Sequence, residues 1–440
     1  VFLSFLKYFI NFINNLMMTM INLKVAKIFV AIPLMNEFEN IEKLLDHLSH
    51  QSLLPATISF CINQPESWRK NIEKKDIIVN NRKTLMYLKK IASSFPIPII
   101  ILDHTSPGNG FNSDVGNVGL ARKLCVDSFL PFATDNDIIV NLDADTYYPV
   151  TYFEDILEIY SQLPLLSGVC GPYYHKIDNL TEDKAILMLR YEIFLRYYTI
   201  KLFLIKSPYA YMPIGSAMSF TVKAYKKAGG FKVKDAGEDF YTMQQIRKIG
   251  MINSWLNTTV YPFARMSDRA VFGTGQAINM NLDNQVKKYP FYPTDLYKKI
   301  EFYYNIFENS NSIASIIENL KDIIPEQIIL KIYKNHPQRD KFIHAIHEYF
   351  DALHILKFLN TNYTVDMNND FEYFKDFYQK LFNKDIIYKN WQEISIDELN
   401  LIRDDLYQYE LDLYKNRFKF LLENKTNKKL WQYMATLNDK

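Results

Sequence analysis

Asp143-Ala144-Asp145 follows directly on the apolar run Ile138-Ile139-Val140-Asn141-Leu142. Two carboxylates one residue apart at the end of a buried strand can share one divalent cation. Alternation along the strand predicts that both point to the same side. Hard oxygen ligands of this kind suit Mg2+ or Mn2+ that also holds a diphosphate; the competing reading is a solvated turn. A second acidic pair, Glu238-Asp239, follows Gly237 and opens a run with Phe240, Met243, Ile246 and Ile249 at helical spacing. Acids at a helix N-terminus are held ionised by the dipole, so the pair reads either as a cap or as a general base beside a hydroxyl. Farther on, Arg265 and Arg269 precede Gly273 and Gly275. The arginines suit a departing diphosphate and the glycines a close backbone approach, against the alternative of a salt-bridged loop. His175 is a candidate third metal ligand, ahead of His104, and a structural histidine is the simpler role for each.

Such residues need a frame to hold them. The spacing predicts buried strands over 26–32, 57–62 and 97–102, with a fourth running into Asp143. Between them lie helical segments, one with Asn36 and Glu39 as a capping box and one over 115–129. Alternating apolar strands and helices predict an α/β fold with a mostly parallel sheet and helices on both faces. Ligands in such sheets bind beyond the carboxyl ends of the strands, where Asn63, Asp103, Asp143 and Asp145 fall. A long helix is expected over 181–206, charged enough to argue against a membrane span, and a short strand over 215–222. From about residue 290 the sheet signal disappears into helical spacing. The expected organisation is an apolar segment 1–23, an α/β domain 24–285 and a helical region 286–440.

Composition narrows the class. A chain of 440 residues is too long for one core, and 48% hydrophobic with 23% charged residues excludes a disordered protein. A net charge of +2 gives no bulk attraction for nucleic acid. Three isolated cysteines without metal spacing fit reduced thiols, hence a cytoplasmic location. Residues 1–23 carry a narrow polar stripe. They read as an interfacial helix contacting the inner face of the membrane, as residues ahead of a true start at Met17, Met18 or Met20, or as a plain docking helix.

Five motifs occur in one order: Ala31-Ile32-Pro33-Leu34-Met35-Asn36-Glu37, Gly119-Leu120-Ala121-Arg122-Lys123, Asp143-Ala144-Asp145, Gly215-Ser216-Ala217-Met218, and Gly229-Gly230-Phe231 with Gly237-Glu238-Asp239. In this order, over roughly 25–275, the chain resembles family 2 glycosyltransferases of the GT-A fold. The resemblance implies transfer of a sugar from a UDP- or GDP-sugar to a glycan or lipid-linked acceptor, with Mn2+ or Mg2+. It implies that Pro33, Asn36, Glu37 and Arg122 line the nucleotide-sugar site, and that Asn63 and Asp103 hold base or ribose. Asp143 would face ribose and sugar, Asp145 would bind the metal, Asp239 would be the base and Glu238 would meet the acceptor. Where the family usually has an Asp-Asp-Gly-Ser-type run, this chain has Asn63-Gln64-Pro65-Glu66. A retaining transferase, a sugar-phosphate nucleotidyltransferase and a non-catalytic binding module are the rival readings. The second lacks its glycine-rich loop after the first strand, and both acidic clusters speak against the third.

Overall fold

The computed structural model describes residues 26–113, 117–233, 237–264, 274–310, 312–321, 323–364 and 366–424. The apolar segment 1–23 lies outside them. Strand β1 (Ile28–Leu34) leads to helix α1 (Phe38–Ser49), β2 (Thr57–Asn63), α2 (Lys75–Ile91), β3 (Ile99–His104), α3 (Val118–Phe129) and β4 (Ile138–Asn141). Then come β5 (Thr146–Tyr147), α4 (Tyr152–Gln162), β6 (Leu166–Cys170), α5 (Glu182–Leu204), β7 (Met218–Thr221), α6 (Val222–Ala228), α7 (Glu238–Ile249), β8 (Met251–Asn253) and β9 (Tyr261–Pro262). From Thr274 to Glu423 every further regular element among the described residues is helical.

Seven strands form one sheet in the order β3-β2-β1-β4-β7-β6-β8, while β5 and β9 pair as a separate ribbon. Among the described residues, only β7 of this sheet runs antiparallel to its neighbours, the other pairings within it being parallel, while β5 and β9 pair antiparallel. Ile28 to Ile32 and Ile58 to Ile62 are buried without alternation, as a sheet covered on both faces requires. The fold class read from the sequence is the one observed, but β6 and β8 were not legible. Leu166-Ser167-Gly168-Val169-Cys170 carries a glycine that lowers its strand signal, and that glycine is needed because a Cβ would lie 2.9 Å from Ile246 and Met243.

The expected capping box is absent. Glu37 occupies the α1 cap position without a side-chain cap bond. The missing acceptors come from α2: Asn80 Oδ1 accepts from Phe38 N at 3.0 Å and Asn81 Oδ1 from Asn36 N at 2.7 Å. Glu39 instead accepts from Asn80 Nδ2. Two poor helix formers, buried side by side in α2, thereby fix the turn after β1.

Helix α5 is almost wholly buried, including Arg190, Glu192 and Arg196. Its charges explain how the C-terminal helices attach. Asp370 accepts from Arg190 Nη2 at 2.9 Å, Trp391 Nε1 at 2.9 Å and Phe291 N at 2.7 Å. Arg196 bonds Glu192 and, at 2.5 Å, Glu410 on the last helix, Ile396–Glu423. Burial alone would raise the Glu192 carboxyl, but Arg196 and His175 hold it well below the usual range. Buried ion pairs of this kind specify one docking geometry more than they add stability, and here Arg190 Nε and Arg196 Nε are left without a hydrogen-bond partner. Among the described residues, no helix is long and apolar enough to cross a membrane.

Candidate active site

Arg122 stands at the centre of the acidic motifs. It is 2% exposed on α3 and forks between two elements: Nη2 donates to Asp143 Oδ1 at 2.8 Å and Nε to Glu238 Oε1 at 3.1 Å. Burial opposes its charge, and Asp143, Glu238 and Asp239 together more than offset that, holding the guanidinium firmly protonated. Gly215 is required at this spot. A Cβ there would lie 2.4 Å from Arg122 Nη2 and 3.6 Å from Asp143 Oδ2. Four of the five motifs quoted from the sequence thus meet around one guanidinium.

The backbone at Asp143 departs from the expectation. Strand β4 ends at Asn141, and Asp143 to Asp145 form a turn into β5, so strand alternation does not orient the two carboxylates. The turn is held otherwise. Asp143 N donates to the Tyr148 hydroxyl at 2.8 Å, and Asp145 O accepts from Phe263 N at 2.9 Å. Both aspartates keep partial exposure, while Tyr148 is buried. Tyr148 was not singled out from the sequence, since nothing in Thr146-Tyr147-Tyr148 separates a supporting tyrosine from a core one.

Glu238 and Asp239 open α7 after Gly237, whose φ of +72° is the left-handed region that favours glycine. Asp239 Oδ1 accepts from Phe240 N at 2.7 Å. The dipole does not keep this group low. Burial first, and then the charge of Glu238, push the Asp239 carboxyl up to about 7, against the Phe240 bond and the pull of Arg122. A carboxyl set there is matched to proton transfer near neutral pH.

Other expected residues have structural partners. Asn63 is buried and its Nδ2 donates to Leu34 O at 3.1 Å and Cys61 O at 3.2 Å, tying the ends of β1 and β2 together. Asp103 accepts four bonds from its own loop: Thr105 N and Oγ1, and Ser106 N and Oγ. Against the effect of burial, these bonds bring it down to about 2. Pro33 lies inside β1, and Asn36 adopts φ 60° in the turn that Asn81 holds. Glu37 is buried, with Oε2 accepting from Asn40. Glu66, in the run that departs from the family, accepts from Gly108 N and Gly110 N and from Arg69 Nε. It closes the loop after β3 onto the end of β2. His175 does not join the aspartate turn; it is 1% exposed with Nδ1 3.0 Å from Glu192. His104 Nδ1 bonds Asn109 O. Arg265 and Arg269 lie outside the described residues.

Among the described residues no three His, Cys, Asp or Glu side chains gather as a metal cluster. Mg2+ and Mn2+ sites commonly take one or two carboxylates and complete their shell with water and substrate phosphate, and the partly exposed Asp143–Asp145 turn fits that donor set.

The sheet order, the single antiparallel strand β7 and the acidic turn beyond β4 decide the architecture. The fold is an α/β one, a sheet parallel except at β7 with a helical C-terminal region. Solved structures match over most of the chain. They include S. aureus TarS 1-349 in complex with UDP-GlcNAc, at 11% identity over 89% of this chain and 92% of that one, TM-score 0.37. They also include the mannosyltransferase PcManGT from Pyrobaculum calidifontis in complex with GDP-Man and Mn2+, at 12% identity over 94% and 86%, TM-score 0.32. No protein-family model and no curated protein matches the chain.

Proposed function

We propose that this protein is a glycosyltransferase that moves a sugar from a UDP- or GDP-sugar to an acceptor hydroxyl. The observation that carries the reading is the Arg122 fork, which places the Asp143 turn and the Glu238-Asp239 pair on one guanidinium. The donor diphosphate lies at the Asp143–Asp145 turn, the acceptor at the start of α7. The acceptor oxygen attacks the anomeric carbon while its proton passes to Asp239. The bond from that carbon to the diphosphate oxygen breaks, and the nucleoside diphosphate leaves with the electron pair. One displacement with one base inverts the anomeric configuration.

Asp145, with Asp143, would hold the divalent cation, which when bound supplies positive charge to the diphosphate oxygens. Arg122 holds Asp143 and Glu238 in place and stays charged throughout. Glu238 is too well covered to bind an acceptor broadly, at 5% exposure, so its part is to keep Asp239 high and to meet one hydroxyl. Asn63 and Asp103 shape the nucleotide side through the backbone they fix.

The test is a panel of nucleotide sugars incubated with the full chain and Mn2+, reading released nucleoside diphosphate. One UDP- or GDP-sugar should be turned over above the rest. Consumption of a nucleoside triphosphate with a sugar phosphate, releasing pyrophosphate, would instead establish the nucleotidyltransferase reading.

A further inference from the structure

The long connection between β2 and β3 has two faces of opposite character. Its inner face, Asn80, Asn81, Thr84, Leu85 and Leu88 of α2, is buried and holds the turn after β1. Its outer face carries an apolar line. Ile72, Val79 and Met86 recur every seven residues and are 85%, 43% and 62% exposed. Val79 and Met86, nearly two turns apart, align along α2, and Ile72 lies in the short 3-10 turn Ile72–Lys74 that leads into it.

Charge flanks that line. Lys75, Arg82 and Lys89 border it on one side, and Lys83 and Lys90 on the other, all exposed. Residues 69–90 hold eight Lys or Arg against two acids, a charge of +6 in a chain whose total is +2. The remainder of the molecule is therefore net acidic, and positive charge is concentrated here. Arg69 pairs with Glu66 at 2.7 Å and Lys89 approaches Asp103 to 3.9 Å, while Lys74 and Lys83 sit over the Trp68 and Phe38 rings at 5.1 and 5.8 Å; Lys75, Arg82 and Lys90 are exposed on the outer side. A nucleic acid would use the charge and leave the apolar line uncovered. An anionic bilayer uses both, taking the apolar side chains into the headgroup boundary while the lysines meet the phosphates.

We propose that the outer face of α2 and the 3-10 turn before it dock this protein on an anionic lipid surface, through Val79 and Met86 of the helix and Ile72 of the turn at the centre and Lys75, Arg82 and Lys89 at the rim. Asn80 and Asn81 fix the helix to the turn after β1, so docking also fixes the orientation of the carboxyl end of the sheet relative to the lipid. This goes beyond the reaction proposed above and does not depend on it.

The test is co-sedimentation of the full chain with vesicles of phosphatidylcholine alone or mixed with phosphatidylglycerol, at low and high salt. The wild type should pellet with the anionic vesicles at low salt, much less at high salt, and stay in the supernatant with neutral vesicles. The triple variant Lys75→Glu, Arg82→Glu, Lys89→Glu should bind at least about a hundredfold more weakly, since each basic residue near such a surface matters by about a factor of five. Ile72→Ser with Met86→Ser should also weaken binding, with circular dichroism and Tm unchanged. Full binding by both variants would place the contact elsewhere and overturn the proposal. So would a wild type that ignores anionic vesicles, binds a single-stranded oligonucleotide instead, or forms a dimer that Met86→Ser dissolves.

Discussion

Asp239→Asn is expected to lower the transfer rate by about 10²–10⁴-fold, the usual range for a lost general base. Its pH behaviour follows from the site. Burial and Glu238 raise the Asp239 carboxyl to about 7, so a growing fraction is protonated, and unable to accept a proton, as pH falls through 7. The wild-type rate should therefore rise from pH 6 to 8 with a midpoint near 7, and the Asn variant should lose that step. Stability moves in the opposite direction. A carboxyl raised in the folded state binds protons there that the unfolded chain has released, so ionising it costs folding stability between about pH 4 and 7. Asp239→Asn should accordingly hold or raise Tm at pH 8. Unchanged turnover with a lowered Tm would make the pair a helix cap and remove the proposed base.

Arg122→Met is the second large effect. The side chain is enclosed, and its removal leaves Asp143 and the buried Glu238 facing each other without a cation. Taking one partner from such a set costs on the order of 3 kcal/mol, visible as a lower denaturation midpoint. The rate should fall by roughly 10²–10³-fold as well, because the charges of the site are no longer preorganised. Arg122→Lys separates the two losses. An ammonium restores the charge and part of the stability, but a single point donor does not reproduce the fork to Asp143 and Glu238. A Lys variant with the wild-type rate would show that the fork is not what the reaction needs.

The parts of this molecule legible in its sequence are those where local chemistry and tertiary structure agree. Strands β1 to β4 are continuous apolar runs that end near chemistry-bearing residues, and period and turn signals placed them within a few residues. The Arg122 stretch, Gly215 and Glu238-Asp239 were visible as motifs. Their meeting around one guanidinium was not, because each lies on a different element and only the sheet order brings them together. The failures have physical causes. Asn36 and Glu39 have the right types for a capping box, yet Asn80 and Asn81 from another helix supply the acceptors. Asp103 has the position of a ribose ligand, and the donors that Thr105 and Ser106 supply to it were not legible in the sequence. His175 lies close in sequence to the aspartates but faces Glu192, which the chain supplies 17 residues later. A helix dipole predicts an ionised Asp239; burial and a like charge win. At the capping box and at His175 a partner from another element overrides the local preference; at Asp103 the local loop supplies the donors, and at Asp239 burial and the neighbouring Glu238 decide.

The central claim, a nucleoside-diphosphate site at the Asp143–Asp145 turn, is tested most directly by calorimetry of UDP and GDP with the full chain. The titrations are run with Mn2+ and with EDTA, on wild type and on Asp145→Asn. The account predicts that one of the two nucleotides binds with Mn2+ present, that EDTA greatly weakens it, and that Asp145→Asn loses it while Tm stays within a few degrees of wild type. Equal binding by Asp145→Asn, or no binding of either nucleotide to a folded wild type, would contradict it.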